Sequence, residues 1–322
     1  MRVLCLTDFP IEQGRWLWDY LPQAQDDRVE FVVAPPGRGY LWSTLSQARR
    51  ALQQLRSQDY DLVAAWELKN GFMLALLSRF FNRRFPPLAI MAFAVRGLPA
   101  RLPGLMHFAL EAVNGMTVPS TREADYYQKH LNLPEKKLRV CANGTYDLRP
   151  SAAGEQAEYI FSGGYSNRDF TTLLQATAGM PELQLVCPQA PAQLPANVKW
   201  QPRLPVEAYL RALSLARLVV IPLQPQPYST GLVDLLWAFA AGRPVIMTNS
   251  GGAADYVRHG ENGLLVPPND PAALRAAIQR LWDDPQERAR LGQAARRDYE
   301  AHYTFPAFAQ RTYAALQAIA QA

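Results

Sequence analysis

The sequence has few of the residues that build disulfide frameworks and zinc sites. Its 322 residues include three cysteines and four histidines. None of them stands in a CxxC pair or at the spacing of zinc ligands, so we expect reduced thiols and no structural zinc. The first ten residues, MRVLCLTDFP, become polar too early for a signal peptide, and we therefore expect a cytoplasmic protein.

Long hydrophobic runs and nucleotide-binding glycine motifs are also missing. The longest apolar stretches, such as GFMLALL at residues 71–77, fall far short of the roughly 20 residues that cross a bilayer. Neither half of the chain has GxGxxG after its first predicted strand, and GxxxxGK(S/T) is absent. The sequence thus disfavours a transmembrane protein, a nicotinamide-dependent enzyme and a P-loop NTPase.

Acidic residues are missing from one stretch of the first half. Residues 1–150 hold 19 Lys and Arg against 14 Asp and Glu, and no acidic residue occurs between Glu67 and Glu111. The basic residues of this stretch, which alternate with phenylalanines, are Lys69, Arg79, Arg83, Arg84, Arg96 and Arg101. Two interpretations stay open: a helix with a solvated basic side, or a surface at residues 69–101 that contacts anionic lipid. Nucleic acid is disfavoured because the stretch is too apolar.

Short buried runs alternate with helical segments along the chain, which predicts an α/β fold with parallel sheets. A small, polar stretch with proline and glycine, LRPSAAGEQAE, marks a domain boundary near residue 150. The strand and helix pattern then repeats, so two Rossmann-like domains are expected to face each other across a ligand-binding cleft. We assign residues 1–150 to the first domain, residues 151–303 to the second, and residues 304–322 to a C-terminal helix that packs back on the first.

Two loops of the second half combine glycine with groups that suit phosphate. Gly163 and Gly164 follow a predicted strand and permit close backbone approach, and Arg168 after them is a permanent cation that can hold phosphate bidentately. The second loop begins a predicted helix at Ser229, Thr230 and Gly231. Free N–H groups and two hydroxyls meet there at the positive end of the helix dipole, which suits a diphosphate. The alternatives are a turn with a surface arginine and plain helix capping.

A third loop lies between a predicted buried strand and a predicted helix from about residue 253. Its small residues, which also suit close ligand approach, are Ser250, Gly251 and Gly252. Asp255 follows in the first turn of that helix, where an acidic side chain also stabilises the helix dipole without binding any ligand.

The segment GLVDLLWAFAAGRPVIMTNSGGAADYVRHGENGLLVPPNDPAALRAAIQRLWDDP, residues 231–285, resembles the C-terminal domain of glycosyltransferase family 4. Three further stretches agree with this family: LRVCANGTYD, YIFSGGYSNRDFTTLLQA and PYSTG. The resemblance extends from about residue 113 to the end. It implies the GT-B fold and retaining transfer of a sugar from a nucleotide sugar. It also implies no metal or other cofactor, because Arg168 and the helix start take the place of a cation at the diphosphate.

The resemblance further implies donor-binding roles for the three loops. Arg168 lies where the family places a basic residue that holds the diphosphate, and the helix start would stabilise charge on the leaving group. The loop at residues 250–252 would border the transferred sugar and the nucleotide. Asp255 stands where the family usually has a glutamate.

The chain departs from the family at two donor-site glutamates, which are eight positions apart. Ser229 and Trp237 occupy these positions. A carboxylate that accepts two ribose hydroxyls contributes about 1.5–3 kcal/mol, so its loss should weaken nucleotide binding roughly ten- to a hundredfold unless it is replaced. Asp234 lies three residues before Trp237 on the same helix face and is a candidate replacement. The opposing interpretation makes Asp234 a solvent-facing acid and Trp237 a core residue.

The acceptor side of the site is less marked. The family often has a histidine near the end of one N-terminal strand, but MAFAVRG has Phe93 and Arg96 there, so no general base is assigned. Asp8, Gly14 and Arg96 are acceptor-side candidates, although Asp8 and Gly14 are also typical loop residues.

Two functions are compatible with these features. The first is a glycosyltransferase at the inner face of the membrane that moves a sugar to a lipid-linked or polysaccharide acceptor in cell-envelope or exopolysaccharide synthesis. The second is a catalytically silent GT-B protein that acts as a binding or scaffold partner in polysaccharide assembly. An epimerase of the same fold is disfavoured because its carboxylate and histidine set is not evident.

Overall fold

The computed structural model describes residues 1–9, 16–36, 39–81, 85–95, 102–147 and 157–321. The chain forms two compact units. The N-terminal unit consists of Met1–Ala142 and Phe308–Ala322, and the C-terminal unit consists of Asn143–Ala307. The boundary predicted near residue 150 falls within residues 148–156, which lie outside the described residues.

The N-terminal unit contains one parallel six-stranded sheet and five α-helices within the described residues. The strands are β1 (Arg2–Thr7), β2 (Arg28–Val33), β3 (Leu62–Trp66), β4 (Leu88–Met91), β5 (Gly115–Val118) and β6 (Leu138–Val140). The helices are α1 (Tyr40–Ser57), α2 (Glu67–Phe80), α3 (Pro103–Leu110) and α4 (Thr121–Leu131), together with most of α10 (Phe305–Ala320). The strand order is β2-β1-β3-β4-β5-β6.

The C-terminal unit repeats this plan. Its strands are β7 (Ile160–Gly163), β8 (Leu183–Val186), β9 (Val198–Gln201), β10 (Leu218–Ile221), β11 (Val245–Thr248) and β12 (Leu264–Val266). Its helices are α5 (Phe170–Thr177), α6 (Val206–Leu215), α7 (Leu232–Ala240), α8 (Pro271–Asp283) and α9 (Pro285–Asp298). The strand order is β12-β11-β10-β7-β8-β9, and all pairs are parallel. The prediction of two Rossmann-like halves is confirmed.

The strand order reverses once in each sheet, and this point locates the ligand sites that such sheets support. In the N-terminal unit the reversal lies between β1 and β3, because β2 pairs with the other edge of β1. In the C-terminal unit it lies between β7 and β10, because β8 pairs with the other edge of β7. Helices leave neighbouring strands on opposite faces at such a point, which opens a crevice at the carboxyl ends of the strands.

The central strands are buried runs of apolar residues, which explains why they could be identified from the sequence. Every residue of β4, β7, β10 and β11 is buried. Helices cover both faces of a parallel sheet, so its strands lack the alternation of polar and apolar residues that half-exposed strands show.

The NGTYD turn after β6 belongs to the C-terminal unit because tyrosines of that unit hold its backbone. The N–H of Asn143 donates to Tyr256 Oη at 2.9 Å, and Tyr299 donates to the Thr145 carbonyl at 3.0 Å. The N-terminal unit therefore ends at Ala142, immediately before these contacts.

The last helix returns to the N-terminal unit from Phe308 onward. Tyr313 donates to Asp27 Oδ2 at 2.8 Å. A Cβ on Gly115 would lie 2.4 Å from the Ile319 side chain, so the glycine at the start of β5 lets the end of α10 lie against the sheet.

Three elements differ from the sequence prediction. The sequence RWLWDYLPQA, residues 15–24, predicts one helix after β1, but the structure has two short 3-10 helices there, Trp16–Tyr20 and Pro22–Ala24, because Pro22 interrupts the helix. The helix expected from about residue 253 is a single 3-10 turn, Ala253–Asp255. The sequence analysis did not identify β12, a strand of three residues.

The described part of the chain contains no helix that is long and apolar enough to span a membrane. Across the same residues, no group of three or more His, Cys, Asp and Glu side chains has the arrangement of a metal site.

Candidate functional site

The loop at residues 163–168 and the segment after β10 lie side by side at the point where the C-terminal sheet reverses. Arg168 forms an isolated antiparallel bridge with Leu223. The N–H of Asp169 donates to the Pro222 carbonyl at 3.1 Å, and the N–H of Gln224 donates to the Asn167 carbonyl at 3.1 Å. The loop after β7 is thus joined through its backbone to the segment after β10, which leads to the start of α7.

A buried ion pair joins the same loop to the first turn of α7. The Arg168 guanidinium contacts the Asp234 carboxylate, and their side chains are only 5% and 10% exposed. Tyr209, in the first turn of α6, donates its hydroxyl to the other carboxylate oxygen at 2.6 Å. The Asp234 carboxylate therefore has a partner for each oxygen, as a buried charge requires.

Arg168 uses its remaining contacts to hold its own loop. Nε donates to the Gly163 carbonyl and Nη1 donates to the Ser166 carbonyl, both at 2.9 Å. A guanidinium has five N–H donors, and these two bonds and the ion pair use three of them. Two N–H groups of the guanidinium therefore have no hydrogen-bond partner among the described residues.

Gly163 and Gly164 make room for protein side chains. A Cβ on Gly163 would lie 2.3 Å from Tyr209 Oη, and a Cβ on Gly164 would lie 2.4 Å from the Arg168 guanidinium. Gly164 also has φ +127°, a value that side chains rarely permit. The two glycines allow Tyr209 and Arg168 to lie directly beneath the loop.

The electrostatics of this cluster keep the Tyr209 hydroxyl protonated. Burial raises the pKa of Tyr209, and the adjacent Asp234 carboxylate raises it further. Burial also raises the pKa of Asp234, and the Arg168 guanidinium and the Tyr209 hydroxyl oppose that shift. Tyr209 is therefore the donor and Asp234 the acceptor in their hydrogen bond.

The start of α7 places an unsatisfied hydroxyl beside this cluster. Ser229 is half-buried, whereas Thr230 is 8% exposed, and Thr230 Oγ1 has no hydrogen-bond partner among the described residues. Gly231 is the N-cap residue, and no side chain caps the helix. A buried hydroxyl without a partner costs about 1–3 kcal/mol, which a ligand acceptor would offset.

The loop at residues 250–252 supports the neighbouring segment through its own groups. Ser250 Oγ accepts from the Gln226 N–H and donates to the Gln224 carbonyl, both at 2.9 Å. Gly251 has φ +54°, and a Cβ there would lie 2.2 Å from the Tyr228 carbonyl oxygen. This loop therefore fixes the path of the chain into α7, and its hydroxyl has no hydrogen to spare for a ligand.

Gly252 and Asp255 are the remaining predicted site residues of this region. Gly252 is buried and caps the 3-10 turn Ala253–Asp255. Asp255 is exposed in that turn, so it does not begin the α-helix in which the sequence analysis placed it.

Asp234 and Trp237 lie in different environments. Asp234 is not solvent-facing, and its ion pair with Arg168 prevents it from replacing the missing ribose carboxylate. Trp237 is half-buried and packs its ring edge-on against Tyr209, with ring centroids 5.9 Å apart. Trp237 is therefore neither a full core residue nor an isolated surface residue.

Tyr209 is the member of this site that the sequence analysis missed. It lies 25 positions before Asp234 and 41 after Arg168 in the sequence, so no local motif links the three. The signal that was available is a tyrosine in the first turn of a helix that follows a strand, and this signal is too common to be specific.

Asp8 is the one acceptor-side candidate that lies within the described residues of the N-terminal unit. Asp8 is half-exposed and forms an ion pair with Lys69 at 2.5 Å. Phe93 is completely buried and packs on Tyr127, so it belongs to the core. Gly14 and Arg96 lie outside the described residues.

The surface predicted at residues 69–101 is described only in part. Most apolar residues of α2 point into the core, because α1 and α3 flank this helix. Phe80 and Phe81 at its end are 66% and 68% exposed. Arg79 pairs with Glu111. The other arginines of the surface, Arg83, Arg84, Arg96 and Arg101, lie outside the described residues.

The buried ion pair predicts a large stability effect at Asp234. Asp234→Asn leaves the Arg168 charge buried without a counterion, so the free energy of unfolding of the C-terminal unit should fall by about 3–5 kcal/mol. Urea unfolding measures this change. Glu207→Gln, an exposed acid on α6, is the control and should change stability by less than about 0.5 kcal/mol. Equal stability of the two variants would contradict the buried pair.

Comparison with known proteins agrees with this architecture. Residues 173–298 match the family model of glycosyl transferases group 1. D-rhamnosyltransferase WbpZ of Pseudomonas aeruginosa is 34% identical over 109 residues, which are 34% of this chain and 28% of WbpZ. Glycogen synthase of Mycobacterium tuberculosis is 35% identical over 103 residues, which are 32% of this chain and 24% of that protein. The matches thus span less than a third of these curated relatives.

Solved structures extend the likeness to nearly the whole chain. Sucrose-phosphate synthase from Thermosynechococcus elongatus superposes with a TM-score of 0.75 at 19% identity, covering 98% of each chain. HepE from Anabaena in complex with UDP superposes with a TM-score of 0.72 at 16% identity, covering 98% of this chain and 100% of HepE. At such identities the likeness establishes the fold. The chain thus has the GT-B fold, and its residues 173–298 match the family model of glycosyl transferases group 1.

Proposed function

We propose that the chain is a retaining glycosyltransferase whose C-terminal unit binds a nucleotide sugar. One observation carries the proposal: the glycine loop at residues 163–168 and the start of α7 are joined at the reversal point of the sheet. Each supplies backbone N–H groups, and together they add the Arg168 edge and the Thr230 hydroxyl. Such a set of fixed donors suits the diphosphate of a nucleotide sugar.

The same donors provide a chemical role in the transfer. Negative charge develops on the diphosphate as its bond to the sugar breaks, and donors that are already in place stabilise that charge without reorganisation. Arg168 would direct its two remaining N–H groups to the diphosphate, while Asp234 and Tyr209 hold the guanidinium in place. No protein base is assigned, and the leaving phosphate would accept the proton of the acceptor hydroxyl. We expect no metal or other cofactor at this site.

The nucleotide would be bound without a carboxylate from α7. Asp234 is occupied by Arg168, and Ser229 and Trp237 carry no charge. Trp237 would offer the ribose its half-exposed ring instead of two charge-assisted hydrogen bonds. Uridine nucleotides are the first to test, because HepE has been crystallised with UDP.

The acceptor would be lipid-linked or a polysaccharide, in cell-envelope or exopolysaccharide synthesis. Exposed Phe80 and Phe81 precede Asn82, Arg83 and Arg84 in the sequence. Exposed aromatic rings next to arginines suit an anionic lipid surface. The proposed location is therefore the cytoplasmic face of a membrane, with peripheral attachment.

A catalytically silent binding protein is the second candidate. The lack of carboxylates at Ser229 and Trp237 favours it, because nucleotide binding without them should be weak. It differs from the first candidate in one measurable property, turnover of a nucleotide sugar.

Nucleotide binding can be measured by thermal shift with UDP, GDP, ADP and their sugars. We expect at least one of these to raise the unfolding temperature. Trp237→Glu should tighten that binding about tenfold, because it restores a charged acceptor at a half-exposed position. Trp237→Gln is the uncharged control and should not tighten it. The absence of any shift at millimolar concentration would refute a nucleotide site.

Turnover tests the charge of Arg168 separately from its structural role. Arg168→Ala alone leaves Asp234 buried and unpaired, so the informative variant is the neutral pair Arg168→Gln with Asp234→Asn. We expect this double variant to fold and to lose at least a hundredfold in kcat for transfer or for slow hydrolysis of the donor. If the double variant turned over the donor as fast as the wild-type protein, Arg168 would have no role in the mechanism. No turnover in the wild-type protein would favour the silent candidate.

Membrane attachment can be tested by flotation with anionic vesicles. Phe80→Ser with Phe81→Ser should release the protein, because these rings provide the exposed apolar area. Neutralising Arg79, Arg83 and Arg84 should have the same effect. Leu41→Ser with Leu45→Ser, which removes equally exposed apolar residues from α1, is the control. If the phenylalanine and arginine variants float with the vesicles as the wild-type protein does, the proposed membrane surface is wrong.

A further inference from the structure

A cavity of about 550 Å³ lies in the C-terminal unit, at the edge of the sheet opposite the candidate donor site. One wall is the turn at residues 242–244, between α7 and the amino end of β11, and the other is a face of α9. The donor-site loops follow the carboxyl ends of β7 and β10. Gly292 lets α9 lie against the turn, because a Cβ there would be 2.3 Å from the Gly242 carbonyl oxygen. Ligand pockets have volumes of about 300–1,000 Å³, so this cavity has room for a small organic molecule.

The lining of this cavity is basic. None of its described residues is acidic, and four are arginines: Arg243, Arg288, Arg296 and Arg297. Arg296 forms ion pairs with Asp147 and Glu300. The other three arginines have no ion pair with a carboxylate within the described residues. Residues 148–156, which follow Asp147 outside the described part, contain one arginine and one glutamate and so add no net charge.

Arg288 is held in place with part of its guanidinium unpaired. The residue is 8% exposed, and its Nη1 donates to the Leu281 and Trp282 carbonyls at the end of α8, both at 2.7 Å. Its Nε and Nη2 have no hydrogen-bond partner among the described residues and are not sealed from solvent. Burial lowers the pKa of Arg288 and the charge of Arg217 lowers it further, which nearby acids do not offset. Helix capping therefore accounts for Nη1 and leaves a nearly buried cation without a counterion.

Arg243 is a second, partly buried cation without a counterion. Its Nη1 has only a long contact, 3.5 Å, with the Ala216 carbonyl. Its Nε is shielded from water and has no partner within the described residues, whereas Nη2 has no partner and is not shielded. Burial lowers the pKa of Arg243. Nη2 is therefore the atom of this side chain that a ligand in the cavity can reach.

A phosphate monoester matches these groups. It carries a charge of about −1.5 to −2 near neutral pH and three acceptor oxygens, which pair well with guanidinium N–H groups. A neutral ligand would leave both poorly solvated cations uncompensated, and a single carboxylate would compensate only one of them. The cavity is also larger than a phosphate group, so it has room for the group that the phosphate is attached to.

We infer that this cavity binds a phosphate monoester through Arg243 and Arg288, with the exposed Arg297 at its rim. Nη2 of Arg243 and the Nε and Nη2 edge of Arg288 donate to the phosphate oxygens. The phosphate belongs either to a small soluble ester or to a lipid headgroup. This site is additional to the proposed donor site and does not depend on it.

Isothermal titration calorimetry on the full chain tests the site with soluble probes. The probes are glycerol 3-phosphate and ribose 5-phosphate, and glycerol and ribose are their uncharged counterparts. If the ligand is soluble, at least one ester should bind and its uncharged counterpart should not. Equal binding of an ester and its uncharged counterpart would overturn the inference.

Flotation with phosphatidylcholine vesicles that contain phosphatidic acid tests a lipid source of the same phosphate group. The protein for this arm carries Phe80→Ser with Phe81→Ser, which removes the exposed rings of the membrane surface proposed above. Flotation that is lost on Arg243→Gln would identify a lipid headgroup. If neither the soluble esters nor these vesicles bind, the inference is wrong.

Variants place the bound phosphate in this cavity. Arg243→Gln should weaken binding about tenfold, and Arg297→Gln should weaken it less because Arg297 is exposed. Without ligand, Arg243→Gln should leave the unfolding temperature unchanged or raise it, because it removes a partly buried charge that lacks a counterion. Arg290→Gln, an exposed arginine of α9 that does not line the cavity, is the control. Equal affinity of Arg243→Gln and Arg290→Gln would overturn the inference.

The double variant Arg168→Gln with Asp234→Asn separates this site from the donor site. It should leave the binding of the phosphate ester unchanged, because its residues lie at the opposite edge of the sheet. If this double variant abolishes ester binding while Arg243→Gln does not, the ester occupies the donor site and the inference is wrong. Ester binding that depends on Arg243 in a protein that binds no nucleotide would support the cavity and refute the proposed function.

Discussion

The buried ion pair between Arg168 and Asp234 is the interaction on which the candidate donor site depends. It connects the loop after β7 to the helix after β10, across the line where the sheet reverses. Two charges so well shielded from water need further hydrogen-bond partners, and Tyr209 and the carbonyls of residues 163 and 166 supply them. The glycines of the loop, the tyrosine on α6 and the acid on α7 are therefore parts of one arrangement.

This pair also explains why the missing ribose carboxylate is not replaced within α7. Asp234 has the correct spacing from Trp237, but its oxygens are used inside the protein. A carboxylate that neutralises a buried arginine cannot also accept hydrogen bonds from ribose hydroxyls without weakening one of the two interactions. Under the proposed function, the nucleotide would be held through its diphosphate and through apolar contact, so the backbone donors would supply more of the binding.

The two units use the same topological position with different electrostatics. The pair after β7 is almost fully buried, whereas the Asp8 and Lys69 pair after β1 and β3 is 36% and 38% exposed. A buried pair is rigid and serves to shape a loop, while an exposed pair exchanges partners with water and with hydroxyl groups at little cost. The first suits the fixed recognition of a diphosphate.

The amino-acid sequence is sufficient for the α/β plan, since buried strands in parallel sheets are continuous apolar runs and four of the helices begin at a capping Ser or Asp. It also predicts that the loops at residues 163–168 and 229–231 bind phosphate, because glycine, hydroxyl and arginine in those positions suit a phosphate. It does not reveal Tyr209, the burial of Asp234 or the cavity lined by Arg243 and Arg288. The partners in these sites are up to 66 positions apart, and only the folded sheet brings them together. Likewise the burial of α2 depends on the helices that flank it, so the apolar residues near Lys69 became core and the exposed rings remained only at the end of that helix.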